Sequence, residues 1–199
     1  MDCKLTDSKY QTHGGTQWGE NVTHEATGRD KELCTNGWIH YYDNPYKAVL
    51  FNIIHAKFSN PVLWEVKAEG KKTSDKLKCG CRKLTTIKQI PLPEISTEKR
   101  VAFAIRCAKQ IYKDKKWNEW ADNWLNGTDR SQAAANAAAD AAYVAYVAYA
   151  TYAANAAADA AYAANATYAT YAARAAADAA RAANAGANID KAIEETFAF

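Results

Sequence analysis

Asn136–Ala154 reads NAAADAAYVAYVAYATYAA, and Asn155–Ala173 follows at once as NAAADAAYAANATYATYAA, identical at 15 of 19 positions. A decayed third copy begins at Arg174 (RAAADAARAANAGANIDKA). Alanine has the highest helix propensity, and no residue between Asp129 and Ala185 breaks a helix. The repeat therefore predicts one long alanine-rich helix, capped at Thr128 or Asp129. About 57 residues at 1.5 Å each would span roughly 85 Å. Gly186 and Asn188 end it, and Ile189–Phe199 is a short amphipathic end piece.

Tyr143, Tyr146, Tyr149 and Tyr152 recur at every third position, with Tyr162, Tyr168 and Tyr171 in the second copy. Each three-residue step turns back by about 60° on an α-helix, so the rings spiral around the rod and form no heptad seam. Methyl groups between them permit close backbone approach. The expectation is alanine-mediated helix pairing into a homo-oligomer, with these tyrosines closing over the partner. A spacer or lever is the alternative reading of the same tract.

Working outward from the repeat, residues 1–128 carry nearly all of the Trp, Cys, Pro and Gly, enough for a core of their own. The net charge of +3 divides unevenly: residues 131–199 hold three basic and six acidic groups, leaving the remainder basic. That imbalance is too small to favour nucleic acid as the partner. Five cysteines, an odd number without an export signal, fit a reducing, cytoplasmic setting. The most apolar window, residues 141–154, is too short to span a membrane.

Within the head, residues 1–30 read as loop with one short strand. Leu33–Tyr42 turns at Asn36-Gly37 into an aromatic strand. Asp43 or Asn44 caps a helix over residues 46–56, with Pro45 in its first turn. Val62–Ala68 and Leu77–Ile90 read as strands, separated by a turn at Glu69–Asp75 and bent at Gly80. Ser96 opens an amphipathic helix through Val101, Ala104, Ile105, Ala108 and Ile111. Trp117, Trp120 and Trp124 lie on a second helix, ended by Asn126-Gly127. The fold class is thus α+β: a small mixed or antiparallel sheet with helices, then the long helix. The divisions are 1–95 (head), 96–127 (helical connector), 128–187 (repeat) and 188–199 (end piece).

Catalytic patterns are absent. No Ser/His/Asp or Cys/His nucleophile set and no phosphate-binding glycine loop occurs. Cys79-Gly80-Cys81 could offer two thiolates to a metal, with Cys34, His40 and His55 as further ligands. A strand bend with one cysteine inward is the simpler reading, so neither metal nor cofactor is expected. The candidate binding residues are Trp38, His40 and Tyr42 on the aromatic strand, and Lys71, Lys72, Lys76 and Arg82 on a basic hairpin.

The run Leu33–Ala56, with Asn60-Pro61, Leu63-Trp64-Glu65, Leu84-Thr85-Thr86-Ile87 and Ile90-Pro91-Leu92-Pro93, resembles an uncharacterised family of phage and prophage proteins. The resemblance implies a phage-encoded, non-catalytic binding protein in an infected bacterium. Its partner would be a host or anti-phage-defence factor, which it would inhibit. Gly37–Tyr41 leading through Asp43-Asn44-Pro45 into a helix is similar to the strand–helix segment of ADP-ribosyltransferase folds. That second resemblance implies an active or degenerate nucleotide-binding head around Trp38, His40 and Tyr42.

Overall fold

A computed structural model describes every residue except 30, 150, 151, 166–174, 176, 177, 179–185 and 199; the side chains of 145–149, 152 and 165 are also outside it. The chain is α+β and divides into two compact units, Met1–Glu94 and Ile95–Phe199.

The first unit is built on an antiparallel sheet. Strand β1 (Cys3–Thr6) pairs with β6 (Val62–Ser74), which pairs with β7 (Cys79–Ile90). The far edge of β7 is shared by β4 (Thr23–Glu25) and β5 (Ile39–Tyr41). A two-stranded ribbon, β2 (Gln11–Thr12) with β3 (Thr16–Gln17), lies outside this sheet. One bridge, Cys3 with Tyr42, joins β1 to the end of β5 through two backbone hydrogen bonds of 2.7 and 2.8 Å. The sheet thereby curls towards a small barrel. Its core is Trp18, Tyr41, Trp64, Val66, Cys79, Cys81 and Leu84.

Helix α1 (Pro45–His55) starts as the sequence predicts. Asn44 is the cap, its side chain accepting from the Tyr46 amide, and Pro45 occupies the first turn. Three expectations need correction. The N-terminal segment holds four short strands in place of one, and all four residues of β1 are buried because both of its faces are covered. Strand β6 does not turn at residue 69 but runs to Ser74. Gly70, at φ +76°, sits in a bulge where the register with β7 shifts. Gly80 is not a bend in β7 either. It is where Leu33 and Trp38 approach so closely that a Cβ would lie 2.5 Å from a Leu33 methyl. Cys79 and Cys81, two residues apart, point to one face and are both buried.

The second unit is helical. Helix α2 (Thr97–Ile111) is capped by Ser96, and α3 (Lys115–Asn126) by Asp114, with Gly127 left-handed at its C-terminus. The alanine repeat supplies α4 (Gln132–Tyr149) and α5 (Tyr152–Asn165). Helix α6 (Ile189–Phe197) follows, capped by Asn188.

The described residues form shorter helices in place of one long one. Asp140 and Tyr162 would stand about 33 Å apart on one unbroken helix. Instead the Tyr162 hydroxyl donates to Asp140 Oδ1 at 3.3 Å, so α5 folds back along α4. The cause is burial. Ala154, Ala156, Ala157, Ala158, Ala160, Ala161 and Ala163 are all buried, so α5 is covered on nearly every side. Phe103 and Ile105 of α2 and Trp117 of α3 are also fully buried, and the Trp117 indole donates to the Ala157 carbonyl at 3.2 Å. The methyl surface finds its partners within the chain, without the entropy loss of association. Gln110 ties α6 to α2 by bonding both the amide and the carbonyl of Asn188.

Candidate functional site

A cavity of about 750 Å³ opens in the first unit among β1, β4, β5, the β2–β3 ribbon and the end of α1. Its position follows from the topology. Beyond the single Cys3–Tyr42 bridge, β1 and β5 share no ladder, and the gap between them is walled by side chains. All four histidines of the chain, His13, His24, His40 and His55, line it. Trp18, Trp38, Tyr42 and Phe58 supply aromatic surface.

Lys4 is the unusual member. It lies on β1 with only 6% of its surface exposed. Its ammonium donates to the His40 carbonyl at 2.8 Å and lies 4.6 Å from the centre of the Trp18 ring. No carboxylate among the described residues pairs with it. Lys47, equally buried on α1, has Asp43 at 2.9 Å. Burial without a counter-charge lowers the Lys4 pKa to about 8. Lys78, also on the wall, is neutralised by Asp75 at 2.8 Å.

Two of the histidines, His40 and His55, are held neutral. Burial lowers the pKa of His40, whose Nε2 bonds the Leu33 carbonyl. Burial, aided by the Lys78 ammonium, lowers that of His55 to about 4. The Tyr42 hydroxyl lies 3.1 Å from His55 Nδ1 and donates to it when the imidazole carries its proton on Nε2. Burial in turn raises the Tyr42 pKa. His24 is fixed by the Gln17 carbonyl at 2.8 Å and stands edge-on to Trp18. The sign of the His55 shift predicts acid lability. The unfolded chain takes up the proton near pH 6.5 and the folded unit resists until about 4, so stability falls across that window. Thermal midpoints at pH 7 and 5 should differ, and less so in His55→Gln. Equal midpoints would show that His55 is protonated in place without cost.

The candidate residues read from sequence separate in space. Trp38, His40 and Tyr42 line the cavity together, as alternate residues along one strand direction. Lys71, Lys72 and Lys76 sit near the tip of the β6–β7 hairpin and take no part in it. Lys72 lies 3.8 Å from Asp2. Arg82 is a brace: its guanidinium stacks 4.4 Å from the Trp38 ring centre and donates to the carbonyls of Gly28 (2.8 Å) and Gly37. It thereby ties Gly28 to Gly37 beside the cavity rim. Arg82→Ala should cost ~1–3 kcal/mol and speed amide exchange across residues 28–38. Unchanged exchange there would remove the bracing role.

Among the tyrosines, Tyr143 and Tyr162 are exposed on the α4–α5 hairpin. Tyr146, Tyr149 and Tyr152 lie on its helices, but their side chains are outside the described residues, as are Tyr168 and Tyr171 entirely. No group of three or more metal-binding side chains occurs among the described residues. No described helix is long and apolar enough to cross a membrane.

Lys4, Trp18 and Phe58 were not legible as site residues. The only cue for Lys4 is a lysine between Cys3 and Leu5, and nothing local marks that segment as buried on both faces.

Residues 1–98 match a family model described as a domain of unknown function, DUF7666, which spans the whole sheet unit. No curated protein and no solved structure matches the chain.

Proposed function

We propose that the sheet unit binds a small anionic ligand with a planar ring, a nucleotide being the class that fits best. The carrying observation is the cavity itself. It combines aromatic faces for stacking with a buried cation that no carboxylate among the described residues neutralises. Its volume of about 750 Å³ suits a mononucleotide or dinucleotide. The likeness of Gly37–Tyr41 to the ADP-ribosyltransferase strand–helix segment supports the same reading. Thermal unfolding with a panel including NAD and cyclic nucleotides tests it. A ligand at 100 times its Kd stabilises by ~2.7 kcal/mol. The shift should vanish in Trp38→Ala. No shift with any member of the panel overturns the reading.

A second reading rests on Tyr143, Val144 and Tyr162, large side chains exposed on the alanine hairpin. On it, the chain is a phage-encoded binding protein that self-associates through this face and engages a host or defence factor. Light scattering of the full chain beside Val144→Glu tests the self-association. A dimer or larger species that dissociates in the variant supports it, and a monomeric full chain ends it.

A further inference from the structure

We infer that Lys4 is an imine-forming lysine: its side-chain amine is placed to condense with the carbonyl of an aldehyde that carries a negatively charged group. The inference rests on the reading that this cavity takes a small ligand, and adds covalent capture to it.

Three observations carry it. Lys4 lines the cavity from a strand that is buried throughout, so the amine is presented by a rigid element. Its position is set by two contacts, the His40 carbonyl and the Trp18 face, neither of which can take its proton. Among the described residues no carboxylate pairs with the ammonium, Glu25 on the same wall being 3.5 Å from Lys83, and burial keeps a useful fraction of neutral amine near neutral pH. Lys47 shows the contrast: equally buried, it is tied to Asp43 and remains an ion-paired strut.

The chemistry balances without an oxidant. The neutral amine adds to the aldehyde carbon, a C–N bond forms, and one amine hydrogen moves to the carbonyl oxygen. The resulting hydroxyl then leaves as water with the second amine hydrogen, and the C=N bond closes. The aromatic wall would flank a planar aldehyde.

Pyridoxal 5′-phosphate is the probe, because it is planar, anionic and an aldehyde. The full chain is incubated with it near pH 8, reduced with borohydride, digested and mapped by mass. Lys4 should be labelled ~10-fold or more faster than the exposed lysines, with half-maximal rate near pH 8 rather than above 10. Lys4→Arg, which keeps the cation, should lose this label. If the variant does not fold, the wild-type labelling order and pH profile decide alone. Labelling that follows exposure and spares Lys4 overturns the inference. Nucleotide binding with no Lys4 label overturns it while leaving the ligand reading intact. Selective Lys4 labelling with no nucleotide binding supports it and overturns the nucleotide assignment.

Discussion

Lys4→Met is expected to stabilise the sheet unit by ~3–4 kcal/mol at pH 7 while abolishing binding of an anionic ligand. The magnitude comes from the distance between an ordinary lysine pKa, 10.5, and the folded value of about 8. Each unit is worth about 1.4 kcal/mol. The sign follows from proton counting. Between pH 8 and 10.5 the unfolded chain holds a proton that the folded unit has released, so wild-type stability rises with pH there. Below pH 8 both states are charged and the full cost of the buried ammonium remains. Methionine fills the same stem volume without a charge. Burial also raises the thiol pKa values of Cys79 and Cys81, and that of Cys3 to about 12, which lowers stability above pH 9. The informative quantity is therefore the difference between wild type and variant, read from the exchange of β1 and β6 amides. A variant less stable than wild type, with an unchanged pH profile, would make Lys4 a strut and remove its functional reading.

Trp117→Ala is expected to destabilise the helical unit by ~3–5 kcal/mol. The indole is 1% exposed, donates to the Ala157 carbonyl, and meets Tyr112 and Trp120 edge to face at 5.6 and 5.4 Å. Its removal leaves a cavity that alanine neighbours cannot collapse into, because methyl groups have no rotamers to adjust. The Ala157 carbonyl lies inside a helix, so losing the indole bond is the smaller part of the cost. Helical circular dichroism during denaturation should show the loss, and α5 amides should exchange faster. Tyr143→Ala, at an exposed site, should change stability by less than ~0.5 kcal/mol. A cost below ~1 kcal/mol for Trp117→Ala would mean that the alanine helices hold each other without the tryptophan.

Much of the local structure is legible from residues alone. Asn44-Pro45, Ser96 and Gly127 mark helix ends because capping is decided within four residues. The alternation of Trp38, His40 and Tyr42 places them on one wall because strand geometry repeats every second residue. The misreadings share a cause. Gly70 carries a turn signal locally, yet the cross-strand ladder with β7 absorbs it as a bulge. Gly80 looks like a bend, yet it answers to the approach of Leu33, 47 positions away in sequence.

By itself, then, the sequence determined the helices of the head and connector, the aromatic strand, several helix caps, and the helical character of the alanine repeat. These depend on propensity and short-range hydrogen bonds. Only the tertiary structure decided that α5 folds back on α4, and that Lys4 meets four histidines, a tyrosine and two indoles around one cavity. Alanine propensity favours a straight helix and a hairpin equally; burial of methyl surface against Trp117 and its neighbours breaks the tie. A lysine's charge reads as solvent-seeking until closure of the sheet through Cys3 and Tyr42 leaves it inside.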